Sequence, residues 1–584
     1  MRAGAVRALL VALTVLGASG CVSMPDSGPI SSAEAGGAAD AADEPAAIDP
    51  EPPVPGASAS EIVDGFLDAM QASPISPSTA RLFLSSAARS SWNPELSTVT
   101  YSGRLQAEGS SRVSVALSGA DLLDARGAWR GRLPSYQSVL QFTMVIEDGE
   151  YRIADPPDAL VVPEVWFEDR FRPVSLYFFD PQGSRLVPEP VFAPTDQTLA
   201  STLVEGLLDG PTAPPGPGRP EGEVTRTFLP PGLEPPLSVP VSGDGVATVA
   251  LSGEVAPLTD RQTTLMVAQL AWTMRQDPEI RSVEVTIDGV PLRLPGGQEQ
   301  FSVDDGAPYD PTGFQASSLL YGLRNGRLVS GTPGELDPVD GVLGQQARSL
   351  RSIGVDLTAT NVAGVSRDGT TLRLAAVRGV DEPVRTVIDG ASDLLEPAWD
   401  GNDRLWVVDR TEEGAVVRHV VGRRVRELDV PGISGEDVTS FLISRDGSRF
   451  VAVIHGVRRD LIRVSRLEYD ESGRLRAATE SESIALDDDP LGRVRDIAWF
   501  SPITVAVLTR LSPGASKVST IGVDGAPTSQ DPLPTTLGDA TALIGSPAPG
   551  EPLYAVTDAG LAVLSSVGGP RVLEDGLTVL DYVG

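Results

Sequence analysis

The feature that most limits what this chain can fold into is a loose repeat in its C-terminal half. From about residue 313 onward helix signals disappear, and short apolar runs alternate with Asp-Gly turns. Ser366-Arg367-Asp368-Gly369 precedes the run Leu372 to Val377, and Ser444-Arg445-Asp446-Gly447 precedes Phe450 to Ile454. The two copies lie about two periods of ~40 residues apart, the size of one propeller blade. Trp399-Asp400-Gly401-Asn402 before Leu405 reads as a degenerate copy between them, and further copies are expected near Asn325-Gly326, Trp499 and Ser546. Asp and Gly suit these turns because both tolerate the positive φ of a two-residue hairpin. A ring of four-stranded blades protects all but short edges. Residues 313–584 are therefore expected to form an all-β propeller of five or six blades, with β-sandwiches as the alternative.

The N-terminal half has a different rhythm. Ser58 and Glu61 have capping-box spacing, and Ile62, Val63, Phe66, Leu67 and Met70 then share one helical face. A second helix is expected after Ser78, with Phe83, Leu84 and Ala87 facing inward. Alternation at Leu140, Phe142, Met144 and Ile146 predicts a strand that Asp148-Gly149 turns into Tyr151 and Ile153. Residues 58–165 thus read as an α+β domain. From 172 to 300 the order is β, α, β, β, α, β: a strand at Val174 to Phe179, a helix through Leu199 to Leu208, strands at Thr225 to Leu229 and Leu237 to Leu251, a helix from Thr259 or Asp260, and a strand at Val283 to Ile287.

The chain has one cysteine, so no disulfide within it is possible and its core rests on apolar burial alone. That cysteine, Cys21, follows Arg2, Arg7, an apolar stretch over 8–17 and the small residues Ala18, Ser19 and Gly20. The pattern reads as a signal peptide over 1–20 and a lipid attachment site at Cys21. The apolar stretch is well short of the ~20 residues a membrane span needs. Residues 21–57, rich in Ala, Pro, Gly and acidic residues, bury too little to fold and read as a lipidated, disordered tether. The formal charge of −33 disfavours nucleic acid as a partner.

Few residues suggest catalysis. His419 and His455 lie in or beside apolar β runs with no metal-ligand spacing, and no phosphate loop or nucleophile elbow is present. Asp487-Asp488-Asp489 lacks the ligand spacing of a calcium loop. The reading is therefore a non-enzyme without cofactor or metal. Against the acidic background Arg423, Arg424, Arg426, Arg458, Arg459, Arg463 and Arg466 make one locally basic region, a candidate surface for an acidic protein. Trp399, Trp406 and Trp499 are candidates for a platform that reads cell-wall polymer, the alternative function. A propeller glycoside hydrolase would need two convergent carboxylates ~5–10 Å apart.

Several of these segments resemble known families. Residues 58–165 resemble the cone-shaped NTF2-like domains. The stretches LLDGP, FLPPG, VSGDGVATVALSG and QLAWTMRQDPEIRSVEVTIDG resemble the GerMN domain, which implies an extracytoplasmic α/β module without known catalytic residues. The segment ending at Cys21 resembles a bacterial lipobox, with Ala18 where leucine is commoner. The whole order, with the opening CVSMPDSGPI, is similar to the LpqB family of actinobacterial lipoproteins. The resemblance implies attachment to the extracytoplasmic face of the cell membrane through an acyl chain such as palmitate. It also implies an accessory role in the MtrAB two-component system, through contact with the extracytoplasmic domain of its sensor histidine kinase, in cell-wall homeostasis and division.

Overall fold

The computed structural model describes residues 48–211, 222–380, 383–484, 492–528, 537–558, 560–564 and 577–584. Cys21, the signal segment, most of the expected tether and Asp487-Asp488-Asp489 lie outside the described residues. Among the described residues, no helix is long and apolar enough to cross a membrane.

The first unit has the expected α+β character. Helix Ala59–Ala69 starts at the anticipated capping box: Ser58 donates its backbone N–H to Glu61 (2.7 Å) and its hydroxyl accepts from the Glu61 N–H (3.3 Å). Its apolar face packs on two antiparallel-rich sheets around Phe66, Phe142 and Ile153. The single helix expected after Ser78 is two pieces, Ala80–Phe83 and Ser86–Ser91. Ser85 interrupts them because its hydroxyl caps the Ala88 N–H (3.2 Å), and this turns Ala88 inward rather than Ala87. Residues 48–57, read as the end of the tether, lie against this unit. Ile48 and Ser73 exchange backbone hydrogen bonds, and Gly56 donates to Glu150 (2.8 Å).

The second unit contains a strand the sequence reading lacked. Phe171–Phe179 pairs antiparallel with Leu186–Pro194, across a turn held by Asp180. Three prolines, Pro188, Pro190 and Pro194, disguise the second strand, which the two-stranded sheet tolerates because one of its edges needs no donor. Conversely, 225–229 forms no strand, only the bridge between Arg226 and Phe179, and the expected strand from Leu237 is reduced to Val246–Leu251 with one bridge at Val241. Helices Leu199–Leu208 and Asp260–Met274 bury Leu203, Leu207, Met266 and Leu270 against the strands.

The remainder is a β-propeller, with six sheets among the described residues. Blade 2 is Leu350–Val355, Asn361–Ser366, Leu372–Ala376 and Arg385–Ile388; blade 3 is Ala398–Trp399, Leu405–Thr411, Gly414–Val421 and Arg424–Leu428. Blade 4 begins with Val438–Ile443, Arg449–Ile454 and Leu461–Tyr469, blade 5 with Val494–Ser501, and blade 6 with Ala540–Ile544. Blade 1 closes the ring: the last strand, Leu577–Asp581, is its innermost and pairs with Leu320–Arg324. The two Ser-Arg-Asp-Gly turns do not occupy equivalent places. Ser444 follows the first strand of blade 4, whereas Ser366 follows the second strand of blade 2. The equivalent positions are Asp356, Asp400 and Ser444, each accepting backbone N–H groups from the turn that follows. The motif therefore reports a turn chemistry, not a blade position.

Candidate functional site

Blades 2 to 6 have a near face, where the first and second strands connect, and a far face, where the second strand turns into the third. The second unit sits on the near face, and its junction is built from charges. Glu189 accepts two hydrogen bonds from Arg466 (2.9 and 2.5 Å) and lies 3.8 Å from Arg449. Burial alone would raise the Glu189 carboxyl, but the two guanidiniums hold it below the usual range. Arg449, fully buried, donates to the Pro188 carbonyl (2.6 Å). Glu223 and Tyr469 exchange backbone hydrogen bonds (both 2.9 Å), Gln182 reaches the Ser472 carbonyl (2.7 Å), and Arg185 the Gly401 carbonyl (3.0 Å).

This arrangement divides the arginine cluster expected from the sequence. Arg466 is an internal partner of Glu189, and Arg463 is half-buried, donating to the Gly432 carbonyl (3.1 Å). Arg423 and Arg424 are exposed at the near-face end of blade 3, since their turn follows Val420, which pairs with Leu405. Arg426 is exposed on the outer strand of that blade. Arg458 and Arg459 lie on the loop after Ile454, at the opposite, far end of blade 4. They do not form one patch with Arg423 and Arg424. Loop 455–460 is braced by Arg493, which donates to the Gly456 carbonyl (2.7 Å) and Asp460 (2.7 Å) and contacts His455 Nδ1 (3.1 Å). Asp460 also accepts the Val494 N–H (2.9 Å). The brace leaves Val457 (99 % exposed), Arg458 and Arg459 projecting.

The three tryptophans offered as a polymer platform are buried. Trp406 donates to Asp400 (2.9 Å), while Trp399 and Trp499 clamp neighbouring blades by donating to the carbonyls of Gly354 (3.1 Å) and Ile443 (3.0 Å). Gly354 permits this approach, because a Cβ there would lie 2.0 Å from the Pro397 carbonyl oxygen. His419 packs beside Trp406, and burial, with Arg404 and Arg426 nearby, pushes its imidazole down to about 4. It is neutral at physiological pH.

The sequence reading missed the most chemically distinctive place in the molecule, the channel along the propeller axis. It encloses about 430 Å³ between the innermost strands. Glu396, Asp496 and Asp581 line it. Burial raises Asp496 to about 6 and Asp581 to about 7; burial and then the charges of Asp581 and Asp496 raise Glu396 well above the ordinary range. Asp496 ties blades 5 and 6 together by accepting the Leu543 N–H (2.8 Å). Arg445 crosses the near-face end, donating to the carbonyls of Thr312 (3.2 Å) and Val583 (2.6 Å), and burial lowers its guanidinium to about 10. At the far-face mouth Arg351 and Arg410 share Asp393, and Arg495 pairs with Asp539. A charged residue inside an apolar run, as in Arg495-Asp496-Ile497-Ala498-Trp499, was the available signal. Among the described residues, no group of His, Cys, Asp and Glu is arranged to hold a metal ion.

Comparison with known proteins accounts for most of the chain. Residues 52–168 match the lipoprotein LpqB N-terminal domain, 175–293 the sporulation and spore germination (Germane) domain, and 326–568 the lipoprotein LpqB beta-propeller domain. Lipoprotein LpqB of Thermobifida fusca is 28 % identical over 92 % of this chain and 92 % of its own. Those of Cutibacterium acnes and Streptomyces avermitilis are 27 % and 26 % identical, covering 89 % and 96 % of this chain and 89 % and 95 % of theirs. The first GerMN domain of GerM from Bacillus subtilis is 24 % identical to a stretch covering 22 % of this chain and 97 % of that one, with a TM-score of 0.18.

Proposed function

Because this chain belongs to the LpqB family of lipoproteins, we propose that it works as a lipid-anchored, non-catalytic binding protein on the extracytoplasmic side of the membrane, and that its partner is the extracytoplasmic domain of a sensor histidine kinase. Lipidation at Cys21 holds it beside that partner, where the effective concentration is high. The observation that carries a protein-binding role is loop 455–460, pre-set by Arg493 and Asp460, which presents Val457, Arg458 and Arg459 on the propeller face the second unit leaves open. An apolar tip flanked by two guanidiniums suits an acidic protein surface with a small hydrophobic recess. Regulation follows if one kinase conformation is bound better than the other, since equal affinity shifts nothing.

The test is titration of the full-length lipoprotein, in detergent, with the purified extracytoplasmic domain, and in parallel with peptidoglycan. Saturable binding to the domain, weakened about tenfold when Arg458 and Arg459 are both replaced by alanine, is the expected result. Binding to peptidoglycan alone overturns the reading. Replacing Cys21 with alanine should abolish function in cells at unchanged abundance; full complementation overturns the tether argument.

A further inference from the structure

Blade 3 is electrically polarised along its strands. At its near-face end, the turn after Val420 and the outer strand that follows expose Arg423, Arg424 and Arg426, with the exposed valines Val421 and Val425 among them. Arg385 of blade 2 adds a fourth guanidinium, set against this turn by its bond to the Gly422 carbonyl (3.0 Å). The neighbouring Glu427 is taken up by Arg418 (3.2 Å), and Asp429 lies just past the end of the strand. At the far-face end of the same blade the sign reverses. Glu412 and Glu413 form the hairpin between Thr411 and Gly414, and Glu436 is tied beside it by accepting the Ala415 N–H (2.9 Å), with Asp437 next in the chain; all four are exposed. The second unit touches this blade at its inner turn, where Arg185 meets the Gly401 carbonyl (3.0 Å), and leaves 421–426 exposed.

A body of net charge −33 held beside an anionic surface is repelled from it except where its cations face that surface. The stretch from Cys21 to Ile48 can span up to ~90 Å when extended, whereas a compact body of this length is roughly 60 Å across, so the attachment point does not fix which side faces the bilayer. Charge does. We propose that the near-face rim of blade 3, together with Arg385, is a docking surface for the anionic phospholipid headgroups of the membrane to which Cys21 holds the chain, an inference that rests on the lipid-anchor reading. The guanidiniums bond phosphate oxygens, while Val421 and Val425 meet the boundary between headgroups and acyl chains. The acidic far end of the blade then turns away from the lipid. Docked in this way, the chain keeps loop 455–460, at the far end of the next blade, open to a protein partner. Exposed charges are screened by salt, so the contact is lost at high ionic strength.

Hydrogen exchange of the full-length chain on vesicles tests this. The chain's single cysteine, Cys21, is coupled to a maleimide phospholipid, in vesicles of phosphatidylcholine alone or with about equal parts of phosphatidylglycerol. At about 0.1 M salt, exchange over 421–426 should slow at least about threefold on the anionic vesicles relative to the neutral ones, and recover at about 1 M salt. Exchange over 411–415 and 455–460 should not change. Replacing Arg423, Arg424 and Arg426 together by alanine should abolish the slowing; the comparison of the two vesicle compositions tests the proposal without any variant. No slowing over 421–426, equal slowing on neutral vesicles, or slowing that persists in the triple variant overturns it. Slowing by soluble polyglutamate but not by anionic vesicles also overturns it, and assigns the rim to an acidic polypeptide. Because coupling supplies the anchor chemically, these outcomes are separate from whether Cys21 is acylated in cells and from whether the kinase domain binds.

Discussion

Two groups of arginines in blade 4, one at each face of the propeller, are used in opposite ways. On the near face, Arg449 and Arg466 point into protein, are matched by Glu189 and by carbonyls of the second unit, and fasten two folded bodies together. On the far face, one arginine, Arg493, braces a loop so that two others, Arg458 and Arg459, stand exposed. The difference teaches that basic residues close in sequence need not make one basic surface. Arg458 lies on the loop that leads into Leu461–Tyr469 and Arg466 lies towards the other end of that strand, so the run of one strand separates the exposed residue from the one in the junction.

The contrast is most sharply tested at Glu189. Replacing it with alanine leaves Arg466 without the anion it is bonded to and Arg449 with only Asp446, 3.9 Å away, and about 3–5 kcal/mol should be lost, with the second unit and propeller no longer melting together. A loss under ~1 kcal/mol would mean the junction is held by backbone contacts rather than charge. On the far face Asp460→Ala should cost less, about 1–3 kcal/mol, because it frees Arg493 and the Val494 N–H that Asp460 accepts. Hydrogen exchange should speed up across 455–460 and stay unchanged at the Glu223–Tyr469 pairing. A matching change at that pairing would show that the two faces are coupled.

The channel between the faces adds a pH dependence. Asp581 titrates at about 7 in the folded chain and near 4 when exposed, so the folded state holds its proton more tightly. The stability this contributes is full below about pH 4 and is lost as the pH rises through 7. Asp581→Asn should therefore flatten the fall in melting temperature between pH 5 and 8 by a few degrees. His419 acts with the opposite sign, losing stability as the pH falls from about 6.5 towards 4, and because it is present in both proteins the difference between the Asp581→Asn and parent scans removes it. The smallest effect on folding belongs to Arg458→Ala with Arg459→Ala, within about 0.5 kcal/mol. The same pair of changes should weaken partner binding while Arg423→Ala with Arg424→Ala, on the other face, leaves it intact. Equal weakening by both pairs would erase the distinction drawn here.

What is local was legible. The capping box at Ser58 and Glu61, the Asp148-Gly149 hairpin with both residues at positive φ, and the helix through Leu199 to Leu208 form from neighbours in sequence, and their side-chain chemistry announces them. Turn chemistry also misled, because an Asp or Ser that caps a hairpin does so wherever a hairpin occurs. Ser366 and Ser444 have the same motif in different places, and the true series at 356, 400 and 444 changes residue type along the way. Pro188 and Pro190 hid a strand because proline is read as a breaker, whereas an edge lacking a partner leaves their missing N–H groups without cost.

By itself the sequence determined the order of a mixed α/β half and an all-β half, the want of disulfides, and a β-repeat of propeller-blade length. The tertiary structure decided the ring, with its six sheets among the described residues, the burial of Trp399, Trp406 and Trp499, the split of the arginines, and the meeting of Glu396, Asp496 and Asp581. The reason is geometric: those carboxylates come from different blades far apart along the chain, and only ring closure by Leu577–Asp581 places them around one axis.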